Sequence, residues 1–163
     1  MNIIGKTTIH PLLFYSGKIS GYFTWIVLIL SILNIHFIEG KGLIWNKYIA
    51  VAFVIAGLGL SVLSLINLGS STRLGLPSEI TTFKTNGLYK YSRNPMYVGF
   101  NFLTIASMLY VWHIIILFLG LYSIIIYHFI ILGEERFMES RFGEEYINYK
   151  QKVRRYISMK FRS

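Results

Sequence analysis

Four apolar runs, at about residues 19–38, 44–68, 95–112 and 113–133, constrain this chain more than any other feature. The first is uncharged for about 20 residues, enough at about 1.5 Å per residue to cross the hydrocarbon layer of a bilayer. The chain has 163 residues, 54% of them hydrophobic, and a mean hydropathy of +0.54. One soluble core would not use that much apolar surface. The expectation is a single all-α integral membrane domain of about four transmembrane helices. Tyr22, Phe23 and Trp25 suit an interfacial aromatic belt. Ala52, Ala56, Gly57, Gly59, Ser61 and Ser64 in the second run suit close helix approach. The third run is short for a full crossing. With almost no loop at Val111-Trp112-His113, it must form a tight antiparallel hairpin with the fourth.

Charge sets the partners and the expected orientation. The chain carries a net charge of +9, yet its basic residues flank apolar runs, so anionic lipid is the expected counterpart and nucleic acid is not. The connection 69–94 holds Arg73, Lys84, Lys90 and Arg93, and the tail 134–163 holds eight basic residues, whereas Lys41 and Lys47 alone mark the other side. By the positive-inside rule both termini and the long connection are cytoplasmic. Residues 1–18, with Lys6 and Lys18, lack a cleavage pattern and read as an inside-facing lead-in. Without cysteine there is no disulfide framework or thiol nucleophile, and without aspartate acid–base chemistry falls mainly to glutamate, histidine, tyrosine and lysine.

Between the second and third runs lies a long polar connection, marked by turns at Gly75, Pro77 and Gly87 and possible extended chain at Thr81, Thr82 and Phe83. At its end Asn94-Pro95 is a helix start, because asparagine accepts from a free backbone N–H and proline's fixed φ suits the first helical position. The positive end of that helix beside Lys90 and Arg93 suits an anion. Far downstream, Glu134-Glu135 stand where the fourth run ends, and adjacent carboxylates there need partners or water.

These pieces carry a resemblance. Gly87-x-Tyr89-x-x-x-Arg93-Asn94-Pro95-x-Tyr97-x-Gly99, then Glu134-Glu135, then Phe142-Gly143-x-x-Tyr146-x-x-Tyr149 resemble the isoprenylcysteine carboxyl methyltransferase and phospholipid methyltransferase family of small membrane enzymes, over residues 68–153. The resemblance implies S-adenosylmethionine as cofactor. Glu134 and Glu135 would accept from its ribose hydroxyls or amino group, and Asn86, Leu88, Tyr89, Asn94 and Tyr97 would form the rest of its pocket. Arg93 would orient the substrate, with Lys152 as a basic tail contact. The prenylcysteine enzymes have histidine at the places of Asn86 and Asn94, and Arg-Val-Pro where this chain has Lys152-Val153-Arg154. The acceptor stays open between a prenylated cysteine-like carboxylate and a phospholipid amine.

His128, seven residues before Glu135, shares its helix face and is either a functional group or a hydrogen-bonding one. His10, His36 and His113 read as interfacial, and no histidine–carboxylate spacing suggests a metal site. The tail reads as one or two amphipathic interfacial helices, with Phe137, Met138 and Phe142, then Tyr146, Tyr149, Val153 and Tyr156, at helical spacing. They would anchor the protein or cover the site. Two other readings fit a basic four-span protein: a nicotinamide-dependent membrane sterol or enone reductase, and a non-enzymatic scaffold binding anionic lipid. The glutamate pair and the short chain favour methyl transfer.

Overall fold

The computed structural model describes residues 7–35, 38, 40–68 and 85–157. Within them the protein is all helical: α1 (Pro11–Ile32), α2 (Ile44–Leu68), a single 3-10 turn (Gly87–Lys90), α3 (Pro95–Val111), α4 (Ile114–Phe142) and α5 (Glu144–Lys152). Three of these, α1, α2 and α4, are long and apolar enough to cross a membrane. Helix α3 is apolar but has 17 residues, and it packs against all three of the longer helices. Residues 69–84, His36, Glu39, Lys6 and the last six residues of the tail lie outside the described set, and with them most of the long connection.

Helix α1 begins eight residues earlier and ends six earlier than the apolar run. Pro11 has no N–H to leave unsatisfied and its φ is already helical, so the helix starts there. It stops where Asn34 takes a left-handed φ of +60°. Lys18 is therefore inside the helix rather than ahead of it, and Trp25 stands in its second half rather than near its start. The Trp25 indole donates to Thr104 Oγ1 of α3 (2.9 Å).

Helix α4 also outruns its apolar stretch, continuing unbroken past Glu134 and Glu135 to Phe142, where Gly143 turns the chain with φ +51°. The first expected tail helix is thus the last two turns of α4. The hairpin before it is as tight as expected. Trp112 takes a left-handed φ of +46°, and His113 caps α4 by accepting from the Ile115 N–H (3.3 Å).

Small residues and hydroxyls set how the helices meet. Ser20 donates to the Leu119 carbonyl (2.8 Å) and Ser123 to the Gly17 carbonyl (2.9 Å), which runs α1 and α4 antiparallel. Ser107 donates to the Thr24 carbonyl (2.6 Å) and Phe14 packs in one cluster with Tyr97, so α1 and α3 are parallel. Against lipid tails, where no hydrophobic force draws helices together, such close approach and hydrogen bonding replace it. Helices α2 and α3 cross at Gly99, where a Cβ would stand 2.7 Å from the Gly57 carbonyl oxygen and 2.9 Å from the Ser61 nitrogen. Gly99→Val is expected to wedge them apart and lower stability by about 1–3 kcal/mol. A thermal midpoint in detergent equal to that of the unmutated protein would contradict this contact.

This alternation brings the starts of α1 and α3 and the ends of α2 and α4 to one end of the bundle.

Candidate functional site

The chain enters that end through Gly87, whose φ of +61° is a glycine conformation. The 3-10 turn closes with the Tyr89 N–H donating to the Asn86 carbonyl (3.2 Å), and the Leu88 carbonyl accepts from Tyr91 and Ser92. Asn86 is exposed. Burial first, and the charge of Glu134 second, push the Tyr89 hydroxyl up to about 12, so it stays a neutral donor near pH 7. Pro95 then opens α3 as expected, but Asn94 does not cap it with its side chain. The Asn94 amide instead donates to Glu135 Oε1 (3.2 Å) and to the Arg155 carbonyl (3.3 Å), while its N–H donates to Ser92 Oγ (3.1 Å).

Glu135 is the hub. It is buried, and Arg93 reaches its Oε1 through Nε (3.1 Å) and Nη2 (2.9 Å). Arg155 closes on both oxygens, with Nη2 at 3.0 Å from Oε2 and Nε at 3.2 Å from each. The anion beside the basic bend is therefore the protein's own carboxylate, already surrounded by donors. Arg93 is equally occupied: its Nη1 donates to the carbonyls of Lys150 (3.1 Å) and Val153 (2.9 Å), so four of the five N–H donors of a guanidinium are engaged. Its side chain is only 7% exposed.

Glu134, one residue earlier, points to a different set of neighbours. Its Oε1 accepts from the buried Tyr97 hydroxyl (2.6 Å), its one hydrogen bond among the described residues. The Tyr97 ring packs with Phe14, Tyr127, Ile130 and Ile131, with Phe100 alongside. The doublet thus divides into a saturated carboxylate and one with acceptor capacity to spare, beside an aromatic wall.

The tail straps across this end. The Tyr149 hydroxyl donates to the Tyr89 carbonyl (2.6 Å), the Arg93 N–H to the Arg154 carbonyl (3.0 Å), and Ser92 Oγ to the Arg155 carbonyl (3.3 Å). His128 Nδ1 bonds the Tyr156 hydroxyl (2.5 Å), so the histidine of the apolar run holds the tail. The helical spacing expected through Tyr156 ends at Lys152, because Val153 is extended (φ −115°, ψ 131°). The switch buries Val153, turns Arg155 inward and leaves Lys152 exposed. Arg155, unassigned by sequence reasoning, is the tail cation at the site; nothing short of the helix end at Lys152 would have distinguished it from its neighbours. Arg93→Lys keeps the charge but not the fork. It is expected to speed hydrogen exchange across 150–156 and to lower stability by about 1–3 kcal/mol. Unchanged exchange would contradict the strap.

Fold and site together define an all-helical integral membrane protein with a polar cluster at one end of its bundle. The chain belongs to the phospholipid methyltransferase family, whose sequence profile matches residues 45–145. The match takes in α2, the bend at Arg93, α3, and α4 with both glutamates, and leaves out α1 and the strap. An uncharacterized protein of Haemophilus influenzae is 49% identical over 37 residues, which make up 23% of this chain and 59% of that protein. No solved structure matches the chain.

Proposed function

We propose that the protein transfers the methyl group of S-adenosylmethionine to a lipid amine presented from the bilayer, at the end of the bundle where α3 begins and α4 carries its glutamates. The observation that carries this reading is the meeting of the two halves of the motif, Arg93-Asn94-Pro95-x-Tyr97 and Glu134-Glu135, through direct hydrogen bonds in a chain of this family.

The residues present suit such a cofactor. S-adenosylmethionine supplies a methyl group on a positively charged sulfur, together with hydroxyl and ammonium donors and a flat base. Glu134, with an oxygen free of hydrogen bonds to described residues, is the acceptor for those donors, and Tyr97 holds its orientation. Tyr89 and Phe100, both half-buried, provide apolar and aromatic surface, with the buried rings of Phe14 and Tyr127 packed behind Phe100. Glu135, Arg93 and Arg155 tie the start of α3, the end of α4 and the tail into one unit, so they act on alignment rather than by touching the reacting atoms. The engagement of Arg93 also bears on the acceptor. A carboxylate acceptor is ionised near pH 7 and is held by a cation; Arg93, the motif cation for that role, is taken up by Glu135 and the tail, whereas an amine needs no such partner and instead gives up one proton to water, its new N–C bond forming as the S–C bond of the donor breaks.

Native membranes containing the protein, incubated with methyl-labelled S-adenosylmethionine, test this. Label is expected in the N-methyl groups of an amine-bearing phospholipid. Base-labile label in a prenylated carboxyl compound would overturn the choice of acceptor, and lipid label no higher than in membranes lacking the protein would overturn methyl transfer itself.

A further inference from the structure

Lys18 belongs to none of the motif pieces and lies outside the stretch matched by the family profile. It sits in the second turn of α1, a helix that is otherwise without charge. A cation placed in an apolar helix of a membrane protein is expensive unless it is paired or functional. Lys18 makes no hydrogen bond and no ion pair among the described residues. Its ammonium instead stands 4.1 Å from the centre of the Phe14 ring, and a cation on an aromatic face is held there without losing its capacity to bind an anion.

Phe14 leads directly to the site. It packs in the same cluster as Tyr97, whose hydroxyl holds Glu134. Lys18 and Glu134 are thus tied to one aromatic cluster, the first through the Phe14 ring and the second through the Tyr97 hydroxyl, yet they form no direct ion pair. Two other carboxylates at this end are satisfied within the protein, Glu135 by Arg93 and Arg155 and Glu139 by Lys150, while Lys90, Arg136, Arg141, Glu144, Glu145, Lys152 and Arg154 are exposed. Lys18 of α1 and Glu134 of α4, each with bonding capacity left among the described residues, stand at the same aromatic cluster. Their chemistry is complementary to a small ligand with both signs of charge.

We propose that Lys18 and Glu134 are the two poles of a subsite for a zwitterion, Glu134 taking its ammonium and Lys18 its carboxylate or phosphate. The inference deepens the methyl-transfer reading and rests on it for the ligand's identity. Two molecules of that reaction carry the required pair of charges: the methyl donor, in its amino-acid end, and an aminophospholipid, in its headgroup.

The test uses the full chain in detergent and titrates it by calorimetry with S-adenosylhomocysteine, with 5′-methylthioadenosine, which is the same nucleoside without the amino-acid end, and with short-chain phosphatidylethanolamine. For Lys18→Met, binding of S-adenosylhomocysteine weakened roughly tenfold or more, with 5′-methylthioadenosine unaffected, assigns the subsite to the donor. Phosphatidylethanolamine weakened to the same degree, with both nucleosides unaffected, assigns it to the headgroup. Lys18→Arg is expected to restore the binding in either case, which separates charge from packing. If the unmutated protein binds S-adenosylhomocysteine and phosphatidylethanolamine and Lys18→Met binds both equally well, the subsite is wrong while methyl transfer stands. If the unmutated protein binds neither nucleoside, the methyl-transfer reading fails, and the subsite with it.

Discussion

Replacing Glu135 with alanine is expected to remove about 3–5 kcal/mol of stability, the range for breaking a buried ion pair from one side. The substitution strips the carboxylate from two guanidinium groups at once. Arg93 bears the larger penalty because its side chain is 7% exposed, against 30% for Arg155, which can turn toward water. The Asn94 amide loses the same acceptor. Because Arg93 also holds the carbonyls of Lys150 and Val153, the damage should spread along the strap. Hydrogen exchange across 150–156 should rise together with exchange at the start of α3, and the thermal midpoint in detergent should fall. A variant that melts with the unmutated protein and keeps its tail protected would show that Glu135 is not the hub described above.

Glu134→Gln is expected to do the opposite. Glutamine keeps an oxygen for the Tyr97 hydroxyl, so the packing around Tyr97 survives and stability should stay within about 1 kcal/mol of the unmutated protein. What is lost, on the proposed reading, is the carboxylate that would take the cofactor's donors. A hydrogen bond to a charged group is worth about 1.5–3 kcal/mol, so the affinity for S-adenosylmethionine should fall roughly tenfold to a hundredfold. The paired outcome is the informative one: two adjacent glutamates, one whose loss loosens the structure and one whose loss empties the site. If Glu134→Gln binds the cofactor normally, the division of labour within the doublet is wrong.

Much of this architecture is legible from residues alone, for identifiable reasons. Hydrocarbon thickness sets helix length, so apolar runs mark the helices. Two apolar runs joined by only Val111-Trp112-His113 can do nothing but fold back on each other. Pro95 marks a helix start wherever it is read. The alternation of helix directions then brings Arg93 and the glutamates to one end. The ends of helices are read less well, because hydropathy reports the bilayer rather than the backbone. Helix α1 starts at Pro11 among residues that look like a lead-in, and α4 runs on past two charges, since nothing in Glu134-Glu135-Arg136 interrupts a helical backbone.

The partners within the site were harder still. Asn94 looks like a cap in any sequence, and only the approach of Glu135 and the tail redirects its amide. Arg93 beside a helix start looks like a free anion binder until Glu135 is found bound to it. Arg155 reaches the site because the chain leaves the helix at Val153, a change of three residues' phasing that helical periodicity cannot anticipate. Lys18 was hidden for a similar reason: as part of a lead-in it was one more interfacial charge, and as part of α1 it faces Phe14 at the edge of the site.

The central claim is that this end of the bundle is a site for S-adenosylmethionine. Calorimetric titration of the purified, unmutated protein in detergent with S-adenosylmethionine, run in parallel with reduced and oxidised nicotinamide dinucleotides, tests it most directly. The account predicts saturable binding of S-adenosylmethionine at one site per chain and none of the nicotinamides. Preference for a nicotinamide, or no saturable binding of S-adenosylmethionine at all, would contradict it.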